Sequence, residues 1–157
     1  MGLDMYFYKR EYISHYDFNK NPTRASEIEV ICKTKFEDGD VKEEHFSTKN
    51  GCVFVELEIA YWRKANAIHK YFVDTCAKGV DECQNIYVEY SDVQELIKLC
   101  KEVLEDHSKA QELLPTTDGF FFGSTEYDEW YFEDLKDTIK QLKDCKPEEE
   151  YIYRASW

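Results

Sequence analysis

The chain has 157 residues, 33 of them Asp or Glu against 20 Lys or Arg, giving a formal charge of -13, a pI near 4.7 and a mean hydropathy of -0.67. Hydrophobic residues at 43%, with 16% of the chain aromatic, can fill the core of one domain and exclude wholesale disorder, and no apolar run approaches the roughly 18 to 20 residues of a membrane span. Only four residues are arginine and the basic residues form no stripe, so direct nucleic-acid binding is disfavoured and a basic protein surface is the better electrostatic match.

Residues 2 to 9 alternate, with Leu3, Met5 and Phe7 on one side and Asp4, Tyr6 and Tyr8 on the other, which is the period of a half-buried strand. The stretch SHYDFNKNPTRAS reads as a long loop or excursion. Alternation resumes over 27 to 36, a turn at Glu37-Asp38-Gly39-Asp40 follows, and Val41 to Ser47 returns as the partner of a hairpin. From about Phe54 to Cys76 the spacing predicts a long helix with Ile59, Trp62, Ala65, Asn66, His69, Val73 and Cys76 on one face, stopped at Lys78-Gly79. A short strand over 85 to 90 leads to a second helix, for which Ser91 and Gln94 supply a capping box and Val93, Leu96, Ile97, Cys100, Val103 and Leu104 the core face. After the break at Pro115 to Gly119, Phe120 to Phe122 reads as a short strand and Gly123-Ser124-Thr125 as the cap of a third helix. The core stripe of that helix is Tyr127, Trp130, Tyr131, Leu135, Ile139 and Leu142, and Tyr151 to Trp157 reads as a closing strand. The expected fold is a single α+β domain over 1–157, a mixed, mostly antiparallel sheet with about three helices packed mainly on one face.

The six cysteines carry neither a C-x-x-C pair nor a signal-peptide pattern ahead of them, so they read as reduced thiols with no structural metal, and Cys32 and Cys100 fall on apolar faces as small hydrophobes. The expected compartment is the cytosol.

Two segments have the residue types for recognition or chemistry. In AYWRKANAIHKYF, residues 60 to 72, the polar Asn66 and His69 share the predicted stripe with Trp62, while Arg63 and Lys64 lie to its side. Such a set could orient a substrate or hold an anion, with Ser124 adding a helix-terminal group; equally, Asn66 and His69 could tie down neighbouring loops with Trp62 in the core. In DGFFFGSTEYDEWYFED, residues 118 to 134, and just beyond it, Glu126, Asp128, Glu129, Glu133, Asp134 and Asp137 crowd the start of a helix without the ligand order of a calcium loop, and read as an acidic face. Among the twelve tyrosines and three tryptophans, Tyr6, Tyr8, Tyr87, Tyr127, Trp130, Tyr151, Tyr153 and Trp157 could anchor an interface, stack a base or fill the core.

These two segments, with MGLDMYFYKREY at the start and YIYRASW at the end, resemble a family of small proteins encoded by bacteriophages and prophages, over nearly the full length. The resemblance brings no catalytic residue set and no cofactor. It implies a phage-type accessory protein in a bacterial cytoplasm that acts non-enzymatically on a host protein with a basic surface, for example as an inhibitor of CRISPR or another defence system. The contact would be Glu126, Asp128, Glu129, Glu133 and Asp137 with exposed tyrosines. The alternative is a protein or enzyme for a nucleotide or other small anion, built on Trp62, Arg63, Lys64, Asn66, His69 and Ser124. Self-association is compatible with either.

Overall fold

Strand β1 (Asp4–Ile13) realises the N-terminal alternation: Leu3, Met5 and Phe7 are fully buried, while Tyr6 and Tyr8 between them are half-buried. The structure is a computed structural model that describes residues 2–17, 23–49 and 51–157. The fold is α+β, and the chain divides into two compact units, Met1–Arg10 with Glu56–Trp157, and Glu11–Val55.

In the unit Glu11–Val55, the predicted excursion contributes two-residue strands β2 (Tyr16–Asp17) and β3 (Thr23–Arg24), and its residues 18–22 lie outside the described residues. The hairpin forms as expected from β4 (Ile28–Lys35) and β5 (Val41–Thr48), in register from Ile28 opposite Thr48 to Lys35 opposite Val41. Gly39 at φ 93° turns it, in a conformation that a side chain would strain. Cys32 is exposed, not a core hydrophobe: its sheet has two strands, and on its face of β4 burial is confined to the start, with Ile28 buried and Val30 intermediate.

The larger unit holds a four-stranded sheet that needs one correction to the sequence reading. Residues 54 to 63 are not helical: β6 (Val53–Arg63) is a strand, and the helix α1 (Asn66–Cys76) begins only after it. The run is rich in aromatic and β-branched residues, which pack best on a pleated surface. Its end has the period of two, with Ala60 and Trp62 buried and Tyr61 and Arg63 exposed. The Lys64 N–H donates to Leu3 O at 2.8 Å, Tyr61 reaches Asp4 and Arg10 reaches Glu56, so β6 runs antiparallel to β1. Lys64 then turns the chain with φ 62°.

The order across the sheet is β6-β1-β8-β7, with β7 (Ile86–Val88) and β8 (Glu150–Ser156) as the other members. The closing strand β8 is therefore central, antiparallel to β1 through Phe7 opposite Tyr153 and to β7 through Ile86 opposite Tyr153. One sheet face is the floor of the core. Phe7 stacks on Tyr151 and on Phe72 of α1 with centroids 5.4 and 5.6 Å apart, and Phe72 stacks on Tyr153 at 4.4 Å. Burying each of these rings contributes roughly 1.5–3 kcal/mol before its ordering cost. The opposite face carries Tyr6, Tyr8, Arg10, Tyr87 and Arg154, with Glu56 shared between Arg10 at 2.6 Å and Arg154 at 3.5 Å.

Three longer helices cover the core face: α1, α2 (Tyr90–Glu105) and α4 (Glu129–Leu142), while α3 (Ala110–Leu113) is a single turn. The stop at Lys78-Gly79 holds, with both residues at positive φ and Gly79 N–H returning to Val73 O at 2.9 Å. The cap of α2 is two residues earlier than predicted, a reciprocal pair of Glu89 and Asp92 in place of Ser91 and Gln94. Cys100 is buried on α2 as expected, and burial pushes its thiol up to about 12. All six cysteines are free. Among the described residues no helix is long and apolar enough to cross a membrane.

The third predicted helix also starts later. Asp128, not Gly123-Ser124-Thr125, is the N-cap of α4, accepting from Tyr131 N–H at 3.1 Å. Ser124 caps only a local turn, accepting from Glu126 N–H. Phe120 to Phe122 forms a turn instead of a strand, with Phe120 93% exposed, and Leu3 N–H, just ahead of β1, donates to Phe121 O at 3.1 Å. Tyr131, Leu135 and Leu142 lie in the core as predicted, but Trp130 is 79% exposed. On α4 it lies about 100° from Tyr131, on the flank shared with Asp134 one turn later.

Candidate functional site

The strand-to-helix junction after β6, the loop 115–128 and the first two turns of α4 enclose a cavity of about 340 Å³. Ala67, Ile68, Tyr131 and Leu135 give it apolar lining; Arg63 and Lys64 bring basic groups; Glu126, Asp128 and Asp134 bring carboxylates, and Trp130 adds an indole. The two segments singled out in the sequence thus meet in one place.

Lys64 owes its position to backbone on both sides. A Cβ on Gly2 would lie 3.4 Å from Lys64 Cε, and one on Gly123, which has φ 91°, would lie 3.2 Å from Lys64 Cβ. Only glycine lets the loop cross Lys64 this closely in that conformation. Arg63 extends toward Asp4, with Nε 3.9 Å from its carboxylate. The N-terminus of α1 has no side-chain cap, and Asn66, Ala67 and Ile68 of its first turn all line the cavity.

Asn66 itself is buried and fixes the loop. Its Nδ2 donates to Phe122 O at 3.1 Å and Ser124 O at 2.7 Å, and its Oδ1 accepts from Thr117 N–H at 3.2 Å. Replacing Asn66 by Ala is expected to cost about 2–3 kcal/mol and to speed hydrogen exchange over 117–124, because three backbone groups lose their partner. Denaturant melts and exchange mass spectrometry read both effects.

Trp62 and His69 do not reach the cavity. Trp62 is buried on β6, its indole donating to Thr138 Oγ1 at 2.9 Å, and the Thr138 hydroxyl donates on to Asp134 O at 2.7 Å. His69 is buried with Nδ1 2.7 Å from Tyr153 Oη and Nε2 2.9 Å from Asp81 Oδ2. In the neutral ring Nε2–H donates to the carboxylate and Nδ1 accepts the tyrosine proton, so every group is satisfied. Burial raises the Tyr153 hydroxyl well above its usual range. Trp157 closes this corner, its ring 5.9 Å from Phe122 and its indole N–H directed at Asp81.

The acidic residues sort into two groups. Glu129, Glu133 and Asp137 share the solvent face of α4 with Lys136, which pairs with Glu133 at 2.6 Å. Glu126, Asp128 and Asp134 line the cavity. Asp134 is the unusual member: burial first, then the charges of Asp137 and Asp128, pushes its carboxyl up to about 7. Among the described residues its carboxyl has no hydrogen-bond or ion-pair partner, and neither has the Lys64 ammonium. The i, i+4 spacing of Trp130 and Asp134 was visible in the sequence, but it coincides with the core stripe and did not mark a cavity flank.

Among the described residues no group of three or more His, Cys, Asp or Glu side chains is arranged to hold a metal ion. The chain matches no family model, no curated protein and no solved structure with which it was compared.

Proposed function

We propose that the protein is a non-enzymatic binding protein, a phage-type accessory factor that docks on a basic surface of a bacterial host protein and so inhibits a defence system or other host machinery. The observation that supports this reading best is Trp130, a 79% exposed indole at a cavity whose lining includes Glu126, Asp128 and Asp134. Tryptophan is enriched among the residues that carry binding energy at interfaces, so a large exposed indole beside a concave site suits an anchor, and the carboxylates around it favour Lys and Arg on the partner. The contact then comprises Trp130 with Glu126 and Asp128 at the cavity and Glu129, Glu133 and Asp137 on the adjoining helix face. The net charge of -13 speeds approach to a basic surface.

The reading as a binder of a nucleotide or other small anion through Arg63, Lys64, Asn66, His69 and Ser124 is weaker. Three carboxylates line the same cavity, while His69 is packed between Tyr153 and Asp81 in the core.

Trp130→Ala is expected to weaken capture of the host partner at least about tenfold, as removal of an aromatic anchor does. Reversal of Glu126, Glu129 and Glu133 to Lys should reduce capture and abolish its salt dependence. Asp128 is left intact because it caps α4, and losing the cap would cost about 1 kcal/mol of fold stability for reasons unrelated to binding. Capture by both variants at the level of the native chain would sink the proposal.

A further inference from the structure

We infer that the cavity between the β6–α1 junction and α4 is also a binding site for a small zwitterion, a molecule with an ammonium at one end and a carboxylate or phosphate at the other, joined by a short apolar stem. This goes beyond the docking of a host protein and stands on the composition of the cavity as a whole. Arg63 and Lys64 give it cationic groups, Glu126, Asp128 and Asp134 give it anionic ones, and Ala67, Ile68 and Leu135 give it apolar surface. A bare anion entering it meets three carboxylates, and a bare cation meets an arginine and a lysine. Only a ligand with both charges satisfies both sets.

The partners of these groups sharpen the assignment. Asp128 already has one oxygen on the Tyr131 N–H and serves the helix. The Asp134 carboxyl and the Lys64 ammonium have no partner among the described residues, so a ligand gives each its first. The Gly123 backbone passes close to the base of the Lys64 side chain, and Asp134 sits on a helix whose backbone Thr138 ties to Trp62. The backbone elements that carry the two charges are therefore set before a ligand arrives, while the exposed Lys64 side chain is ordered by the ligand itself. Trp130 is part of the lining, where an indole suits the ammonium end through cation–π attraction. The apolar lining suits methylenes, and about 340 Å³ lies at the small end of ligand cavities, with room for an amino acid or aminoalkyl phosphate.

The test is a calorimetric titration of the full chain with glycine, β-alanine, γ-aminobutyrate, ε-aminocaproate and phosphoethanolamine, with n-butylamine and butyrate as singly charged controls. One zwitterion of this set is expected to bind at least about tenfold tighter than either control. Lys64→Met should remove the preference for the zwitterion over the amine, and Asp134→Asn the preference over the acid. Trp130→Ala, at an exposed position that does not threaten the fold, should weaken the zwitterion several-fold. Zwitterions that bind no better than the controls overturn the inference, and so does tight binding that all three variants leave unchanged.

Discussion

Asp134→Asn is expected to make the protein more stable above pH 7 and to leave its stability near pH 4 unchanged. The folded carboxyl titrates at about 7 against 3.8 for an unperturbed one, so the native state holds the proton more tightly than the unfolded state does. Stability therefore falls as pH rises from about 4 through about 7 and levels off above, where the native state carries a half-buried charge. A shift of this size corresponds to about 2–4 kcal/mol once partial exposure to solvent is allowed for. The charged groups that line the same cavity are Asp128 at the cap of α4, Glu126 in the loop, and Lys64 and Arg63 from the β6–α1 junction, with Asp137 on the next turn; burial and then the charges of Asp137 and Asp128 raise the carboxyl. Asn cannot ionise, so its stability curve loses this slope. Urea melts at several pH values read the effect, and parallel curves for the two proteins would contradict it. A partly buried, unpaired carboxyl that lowers stability at neutral pH is the kind of local cost that structures carry at binding sites.

His69→Ala is the substitution expected to damage the fold most, by about 3–5 kcal/mol, through a cavity beside Phe122 and Tyr153 and the loss of both partners of the ring. Tyr153→Phe, which removes one hydroxyl, should cost about 1–2 kcal/mol. The double variant should lose less than the sum, because either change alone already breaks the Tyr153–His69 bond. Denaturant melts over the four proteins of this cycle measure the coupling. A His69→Ala variant within about 1 kcal/mol of the native chain would contradict a structural role and return His69 to the functional candidates.

The sequence carried the fold where a single period dominated. β1, the β4–β5 hairpin, β7, α2 and β8 each follow one clean alternation or one helical stripe, and each forms within a few residues of its expected bounds. The failure at 54–63 has a physical cause. Ile59, Trp62, Ala65, Asn66 and His69 happen to fit a helical spacing across a strand, a left-handed Lys64 and a helix, and the ladder to β1 that decides the matter is a long-range pairing. Trp130 was misplaced for a related reason: the core stripe of α4 is narrow, centred on Tyr131, Leu135, Thr138 and Leu142, and the next residue around the helix already faces out. For the site, the two informative segments could be recognised from their residue types, but not that Arg63, Lys64, Asn66 and Ser124 would share one cavity with Glu126 and Asp128 while Trp62 and His69 went to the core. That sorting depends on the turn at Lys64, which sends Trp62 inward on the strand and brings the start of α1 to the loop.

The central claim is that recognition takes place at the cavity and the adjoining face of α4. Hydrogen–deuterium exchange of the protein alone and in complex with its captured host partner tests it most directly. Protection is expected over 115–137 and at the β6–α1 junction, and the same protection with Trp130→Ala should need at least about tenfold more partner. Protection confined to the β4–β5 hairpin or to the open face of the sheet around Tyr6, Tyr8 and Tyr87, with 115–137 unchanged, would contradict it.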